Sequence, residues 1–185
     1  MKPQEFKELQ TQRLDLKPMV ATFAFANELF NIIVKHRDKY KYIPKLAGAP
    51  TAESEFDFLR GVEKGWKNKT KATYGMYLRD GGTFIGACSM FNIDWDAESC
   101  EIGAWVDMDY AGKGFMTEAV NAITTAFIDM GFKRVVIKAN TENLASCKVA
   151  EKCGFEREGV LRSCEFNPYL NKREDFAIFS KINDK

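Results

Sequence analysis

Asp109-Tyr110-Ala111-Gly112-Lys113-Gly114-Phe115-Met116-Thr117-Glu118-Ala119 joins two segments of different hydrophobic period. Before it, Ser99 to Val106 reads as a strand, with Glu101, Gly103 and Trp105 on one face and Cys100, Ile102, Ala104 and Val106 on the other. After it, Met116, Val120, Ile123, Phe127 and Met130 recur at helical spacing until Gly131, a helix-ending residue. The order is therefore strand, glycine loop, helix. Glycine brings the backbone close to a ligand, and a helix N-terminus offers N–H groups without acceptors, so the loop suits a pyrophosphate. An ordinary tight turn is the alternative. Two other phosphate loops are excluded by single residues. A Walker A loop would need glycine at Asp107 and Ser or Thr at Gly114, and the dinucleotide fingerprint would need glycine at Thr117.

Further along, Asn143 reads as the N-cap of a helix that Gly154 ends. Ser146 then takes the third helical position, near the positive end of the dipole, where an anionic leaving group is stabilised. The plainer alternative is that both side chains only satisfy their own helix end. A strand over Arg134–Lys138 separates the two helices, and strands from Phe155 to Ser163 and Asp175 to Ile182 follow. Upstream, Arg13–Lys17 forms a first strand, and Tyr74–Leu78 with Thr83–Cys88 forms a hairpin around Asp80-Gly81-Gly82. A helix is expected from Val20 to Val34. Lys35 to Pro50 reads as a basic stretch running into a loop. A second helix, capped by Thr51, runs to about Lys67 with Phe56, Leu59, Val62 and Trp66 inward. Seven strands, first in hairpins and then alternating with helices, make a mixed α/β (α+β) sheet, expected as one domain over residues 1–185.

Composition removes several function classes. The 27 Lys and Arg nearly balance the 26 Asp and Glu, too even for affinity drawn from many phosphates, so stable nucleic-acid binding is not expected. No apolar run reaches the length of a membrane span, and because the first residues are charged and lack an apolar stretch, no secretion signal is expected there. The five cysteines are irregularly spaced without Cys-x-x-Cys, and His36 is the single histidine. Reduced thiols in the cytoplasm are the expectation, with no metal.

Together, Glu101-Ile102-Gly103-Ala104-Trp105, the loop from Asp109 to Ala119, and Asn143-x-x-Ser146 closing at Gly154-Phe155 resemble the GNAT superfamily of acyl-CoA N-acyltransferases. Within it the chain is most similar to the RimJ/RimL-like enzymes that acetylate ribosomal-protein N-termini. The resemblance implies a mostly antiparallel sheet with helices on both faces and a splayed strand pair forming a slot for CoA. It implies acetyl-CoA as co-substrate, with main-chain amides of Ala111, Gly112, Lys113, Gly114 and Phe115 on the diphosphate and Met116 and Thr117 opening the helix. Trp105 and Val106 would flank the slot, and Asn143 would touch the pantetheine arm. The family's loop begins with Arg or Gln, where Asp109 stands here and puts a negative charge near the phosphates. Its common tyrosine acid is replaced by Ala150, and the RimL-like subgroup uses a serine at the position of Ser146.

The residues are consistent with that chemistry. An amine must lose a proton before it attacks a thioester, and with His36 remote in sequence a carboxylate is the natural base. Glu101, which starts the strand lining the slot, is the first candidate; Glu53, near the start of the second helix, is the other, implied by its position in RimL-like sequences. A nucleophilic Cys147 is disfavoured because no histidine accompanies it. The expected acceptor is the N-terminal amine of a protein. A small amine is the alternative, and a non-catalytic acyl-CoA-binding module a second one. Basic stretches at Lys35–Lys41 and Lys64–Lys71 read as solvated faces that could also steer an acidic partner. Monomer and homodimer both remain open.

Overall fold

The period change at residue 107 is built as read: strand β5 (Ser99–Val106) runs through the glycine loop into helix α4 (Phe115–Asp129) and back to strand β6 (Arg134–Asn140). This computed structural model describes residues 1–48 and 50–183. The other strands are β1 (Leu9–Gln10), β2 (Leu14–Pro18), β3 (Ala72–Leu78), β4 (Phe84–Asp94), β7 (Glu156–Asn167) and β8 (Lys172–Ile182). They form one sheet in the order β1-β2-β3-β4-β5-β6-β8-β7. Among the described residues only β5 and β6 pair in parallel, as a strand–helix–strand crossover requires. The eighth strand beyond the expected seven is β1, a two-residue addition on β2 that no periodicity could announce.

Helices cover both faces. Helix α4 and helix α5 (Leu144–Lys152) bury Val120, Ile123, Phe127 and Ala150 against Leu16, Met76, Cys88 and Ile102. On the other face, α1 (Phe23–Lys35) and α3 (Ala52–Lys67) pack Ala26, Leu29, Leu59 and Val62 on Phe84 and Ala87. Helix α1 begins three residues later than its apolar pattern suggested. Thr22 accepts the Phe25 N–H at 3.1 Å as N-cap, which leaves Val20 outside and exposed. The basic stretch after α1 is not all loop: it holds a 3₁₀ turn (Arg37–Tyr40) and the one-turn helix α2 (Pro44–Ala47). Thr51 caps α3 as expected, with Ser54 completing a reciprocal capping box. The buried stripe of α3 is Glu55, Leu59, Val62 and Gly65, rotated by one residue from the expected one, while Phe56 and Trp66 are half-buried.

The sheet opens at one place. Strands β5 and β6 pair at Ser99–Arg134, Cys100–Val135 and Glu101–Val136, and there the pairing ends. Beyond it β6 stays with β8 as far as Asn140–Phe176, and β5 stays with β4 as far as Gly86–Val106. Gly86 permits that last approach. Its φ is +149°, and a Cβ there would lie 2.4 Å from the Trp105 carbonyl oxygen. The Asp107 N–H continues the seam to the Ile85 carbonyl at 2.8 Å.

Candidate active site

The wedge between the parted strands is a cavity of about 230 Å³. Its walls include Trp105 and Val106 of β5, Ile137 of β6, and Ala111 and Gly112 of the glycine loop. Met116, Asn143 and Ser146 also face it, so seven of the residues expected at a cofactor meet in one slot. Lys113, Gly114, Phe115 and Thr117 complete the loop and the first turn of α4 without lining that wall. Tyr40, Ile43 and Met108 line it too, from the segments no sequence pattern connected to it. Tyr40 is almost fully buried, edge-on to Trp105 at 6.0 Å between centroids, and its hydroxyl donates to the Val106 carbonyl at 3.1 Å.

The loop fits a diphosphate. Gly112 and Gly114 have φ of +75° and +83°, which side chains rarely adopt, and a Cβ on Gly112 would meet nothing within 4 Å. The first bond of α4 runs from the Glu118 N–H to the Gly114 carbonyl, so the N–H groups of Phe115, Met116 and Thr117 have no helical acceptor. Arg13 braces the loop: it donates to the Lys113 carbonyl at 3.0 Å, pairs with Glu118 at 2.7 Å and stacks on Phe115. The negative charge of Asp109 is answered locally. Lys35 pairs with it and holds its carboxyl below the usual range, and His36 Nε2 lies 3.2 Å from Asp109 and 3.3 Å from Asp107.

At the head of α5, Asn143 Oδ1 accepts the Ser146 N–H at 3.2 Å, as a cap should. That bond uses the serine's backbone and leaves its side chain in the slot wall. Cys147, the next residue, turns its thiol to the Asn140 carbonyl at 3.7 Å, and burial raises its pKa, which keeps it a thiol.

A second cavity, of about 410 Å³, lies on the other face of β5 beneath α2 and α3. Gly103, Ala104, Trp105 and Ile43 belong to the walls of both cavities, so the two meet across β5. The two carboxylates expected at the chemistry line neither cavity. Glu101 sits at the fork where β5 and β6 part, its Oε1 accepting from Lys138 at 2.9 Å and Asn92 at 3.0 Å. It shares its strand face with Gly103 and Trp105, which line both cavities, but stands outside either wall. Glu53 is exposed on the first turn of α3, and hydrogen bonds from its own N–H and the Thr51 hydroxyl hold its pKa down. The carboxylate that lines the second cavity is Glu55, almost fully buried, with a pKa raised by that burial. One signal was available for it: Glu55 is in phase with Leu59 and Val62, the buried stripe of its helix.

A sheet opened over a glycine loop and a helix N-terminus, with a second cavity across the strand, makes a two-sided site on β5. Residues 13–156 match the acetyltransferase (GNAT) domain model, and the chain belongs to that family. It is similar to a Bacillus subtilis (strain 168) protein named "Probable N-acetyltransferase YjcK", 35% identical over 113 residues, 60% of this chain and 61% of that one. It is also similar to the ribosomal-protein-serine acetyltransferase of Escherichia coli (strain K12), 33% identical over 102 residues, 54% of this chain and 55% of that one. The chain thus spans between half and two thirds of the length of these curated relatives. Among solved structures, RimL, the ribosomal L7/L12 alpha-N-protein acetyltransferase in complex with coenzyme A, shares the fold with a TM-score of 0.86 at 20% identity, covering 96% of this chain and 99% of that one. No helix among the described residues is long and apolar enough to cross a membrane.

Proposed function

We propose that this protein transfers acetyl from acetyl-CoA to a primary amine, the N-terminal amine of a protein, within a ternary complex. The observation that carries the reading is the meeting of two cavities across Gly103–Trp105, one for a thioester and one for its acceptor. The glycine loop and the free N–H groups of α4 would hold the diphosphate, and the slot between β5 and β6 would take the pantetheine arm. Backbone N–H groups of β5 beyond Glu101, released from β6, would polarise the acetyl carbonyl.

The amine nitrogen attacks the carbonyl carbon, the C–S bond breaks, and the amine gives up a proton. Ser146, in the slot wall near the N-terminus of α5, donates to the departing thiolate and is reprotonated through water by the proton that the amine releases. Glu101, at the fork of β5 and β6 two residues along the strand from Gly103, takes the amine proton through water by way of Oε2. Glu53, outside both cavities, has no part in this scheme. Similarity to the E. coli ribosomal-protein-serine enzyme supports a protein N-terminus over a small amine. The five free thiols support a cytoplasmic setting.

The test is calorimetric titration with acetyl-CoA, desulfo-CoA and ATP, followed by an acceptor screen of peptides and small amines. Saturable binding of the CoA compounds but not ATP, with acetylated peptide as product, is expected. Binding without any acetylated amine would leave an acyl-CoA-binding module, and turnover of small amines alone would reject the protein acceptor.

A further inference from the structure

The acceptor cavity carries charge that the transfer scheme does not use. Lys45 of α2 and Lys71, just before β3, line it together with Glu55. Both ammonium groups are gathered on one ring: Lys45 Nζ lies 3.6 Å from the Phe58 centroid and Lys71 Nζ 5.6 Å. Among the described residues neither lysine makes a close ion pair, and Glu55, the one carboxylate in the wall, acts on Lys45 only at longer range. The remaining lining is apolar or small, with Ile33, Leu46, Ala87 and Phe91 prominent. Lys45 is exposed and Lys71 half-buried, and two cations against one anion leave a positive excess along this wall.

Resting on the acyl-transfer reading, we infer that this cavity selects an acceptor with a carboxylate a few bonds from its amine, as a peptide N-terminus with an acidic residue among its first two carries. Lys45 and Lys71 are the specificity-determining residues, and Phe58 positions them. Three consequences of the geometry agree. Burial lowers the pKa of both lysines, so both gain when an anion arrives. A cationic acceptor such as a polyamine meets repulsion instead. The same ammonium groups favour the neutral, reactive form of a neighbouring amine.

The experiment measures binding separately from turnover. Protein saturated with CoA, which has no acyl group to transfer, is titrated calorimetrically with the amides of Ser-Glu-Ala, Ser-Gln-Ala and Ser-Lys-Ala. The expected order of affinity is Glu, then Gln, then Lys, with the ends separated by about tenfold or more. In the K45M/K71M variant the methionines keep the apolar stems, and the preference should fall to within about twofold. Unchanged CoA affinity in that variant shows that it is folded, because neither lysine lines the CoA slot. Equal affinities in the wild type, no peptide binding at all, or a preference that survives in the folded variant would each overturn the proposal. Acetyl-CoA is then supplied to the same peptides. Binding in the expected order without acetylated product would reject acyl transfer and leave the anion-selective cavity standing.

Discussion

The two faces of β5 are built by different means. On one, the CoA slot is drawn mostly from elements that follow one another between Ile102 and Val149, joined by Tyr40 and Ile43, and it is centred on the backbone of a glycine loop. On the other, the acceptor cavity is made of side chains from α1, α2, α3, β4 and β5, brought together from Ile33 to Trp105. A region formed by backbone geometry tolerates little change at a few glycines. One formed by side chains can be retuned at many positions. Recognition of a common cofactor belongs to the first kind, and choice of acceptor to the second.

The seam both faces share is the most sensitive point. Alanine at Gly86 would put a Cβ 2.4 Å from the Trp105 oxygen and 2.8 Å from the Val106 Cα, both backbone atoms that cannot step aside. Gly86→Ala is therefore expected to cost about 3 kcal/mol or more. Urea unfolding measures it, and a loss below about 1 kcal/mol would show that β4 and β5 can separate here without consequence. Ser146→Ala is next. Turnover should fall about 100-fold while acetyl-CoA affinity holds, since general acids typically contribute that much. Full activity would remove Ser146 from the chemistry.

On the backbone-built face, Gly112→Val should weaken acetyl-CoA about tenfold or more, through a strained φ and a side chain over the loop. On the side-chain-built face, Glu101→Gln and Glu55→Gln divide the proton chemistry from the recognition. Glu101→Gln should lower kcat about tenfold to 100-fold, and Glu55→Gln should act chiefly on the acceptor KM. The opposite split would move the base from the fork into the cavity.

How much of this was legible follows the same division. The period change around Asp107 and the glycines at 112 and 114 are local signals that located the loop and the start of α4, and Thr51 and Asn143 marked their own helix caps, whereas the slot was implied by the family resemblance. Local signals do not report which distant segments share a space. Tyr40 reaches Val106 across 66 residues, and Lys45 and Lys71 meet at Phe58 only after α2 and α3 have packed. Glu53 is a candidate by its place in RimL-like sequences, and that place says nothing of rotation about the helix, which turns Glu55 inward. Two residues turn a helix by about 200°, which carries a carboxylate from water to the interior.

Asp109 gives the smallest expected effect and the sharpest test of locality. By sequence it puts a negative charge at the head of a diphosphate loop, and on that ground alone its removal should tighten acetyl-CoA binding markedly. In the fold it is paired with Lys35, approached by His36 and exposed, and the carboxyl is held ionised by the Lys35 hydrogen bond. Neutralised in this way, it projects little field onto the loop, and solvent screens what remains. Asp109→Asn should therefore change acetyl-CoA affinity by no more than about threefold at physiological salt. Lys35→Met, which strips the partner and leaves the carboxylate, should weaken binding more than Asp109→Asn does. The pair K35M/D109N should return to near the starting affinity. If Asp109→Asn alone tightens binding tenfold, the lysine does not neutralise it, and the charge on the loop is as exposed as the sequence implied.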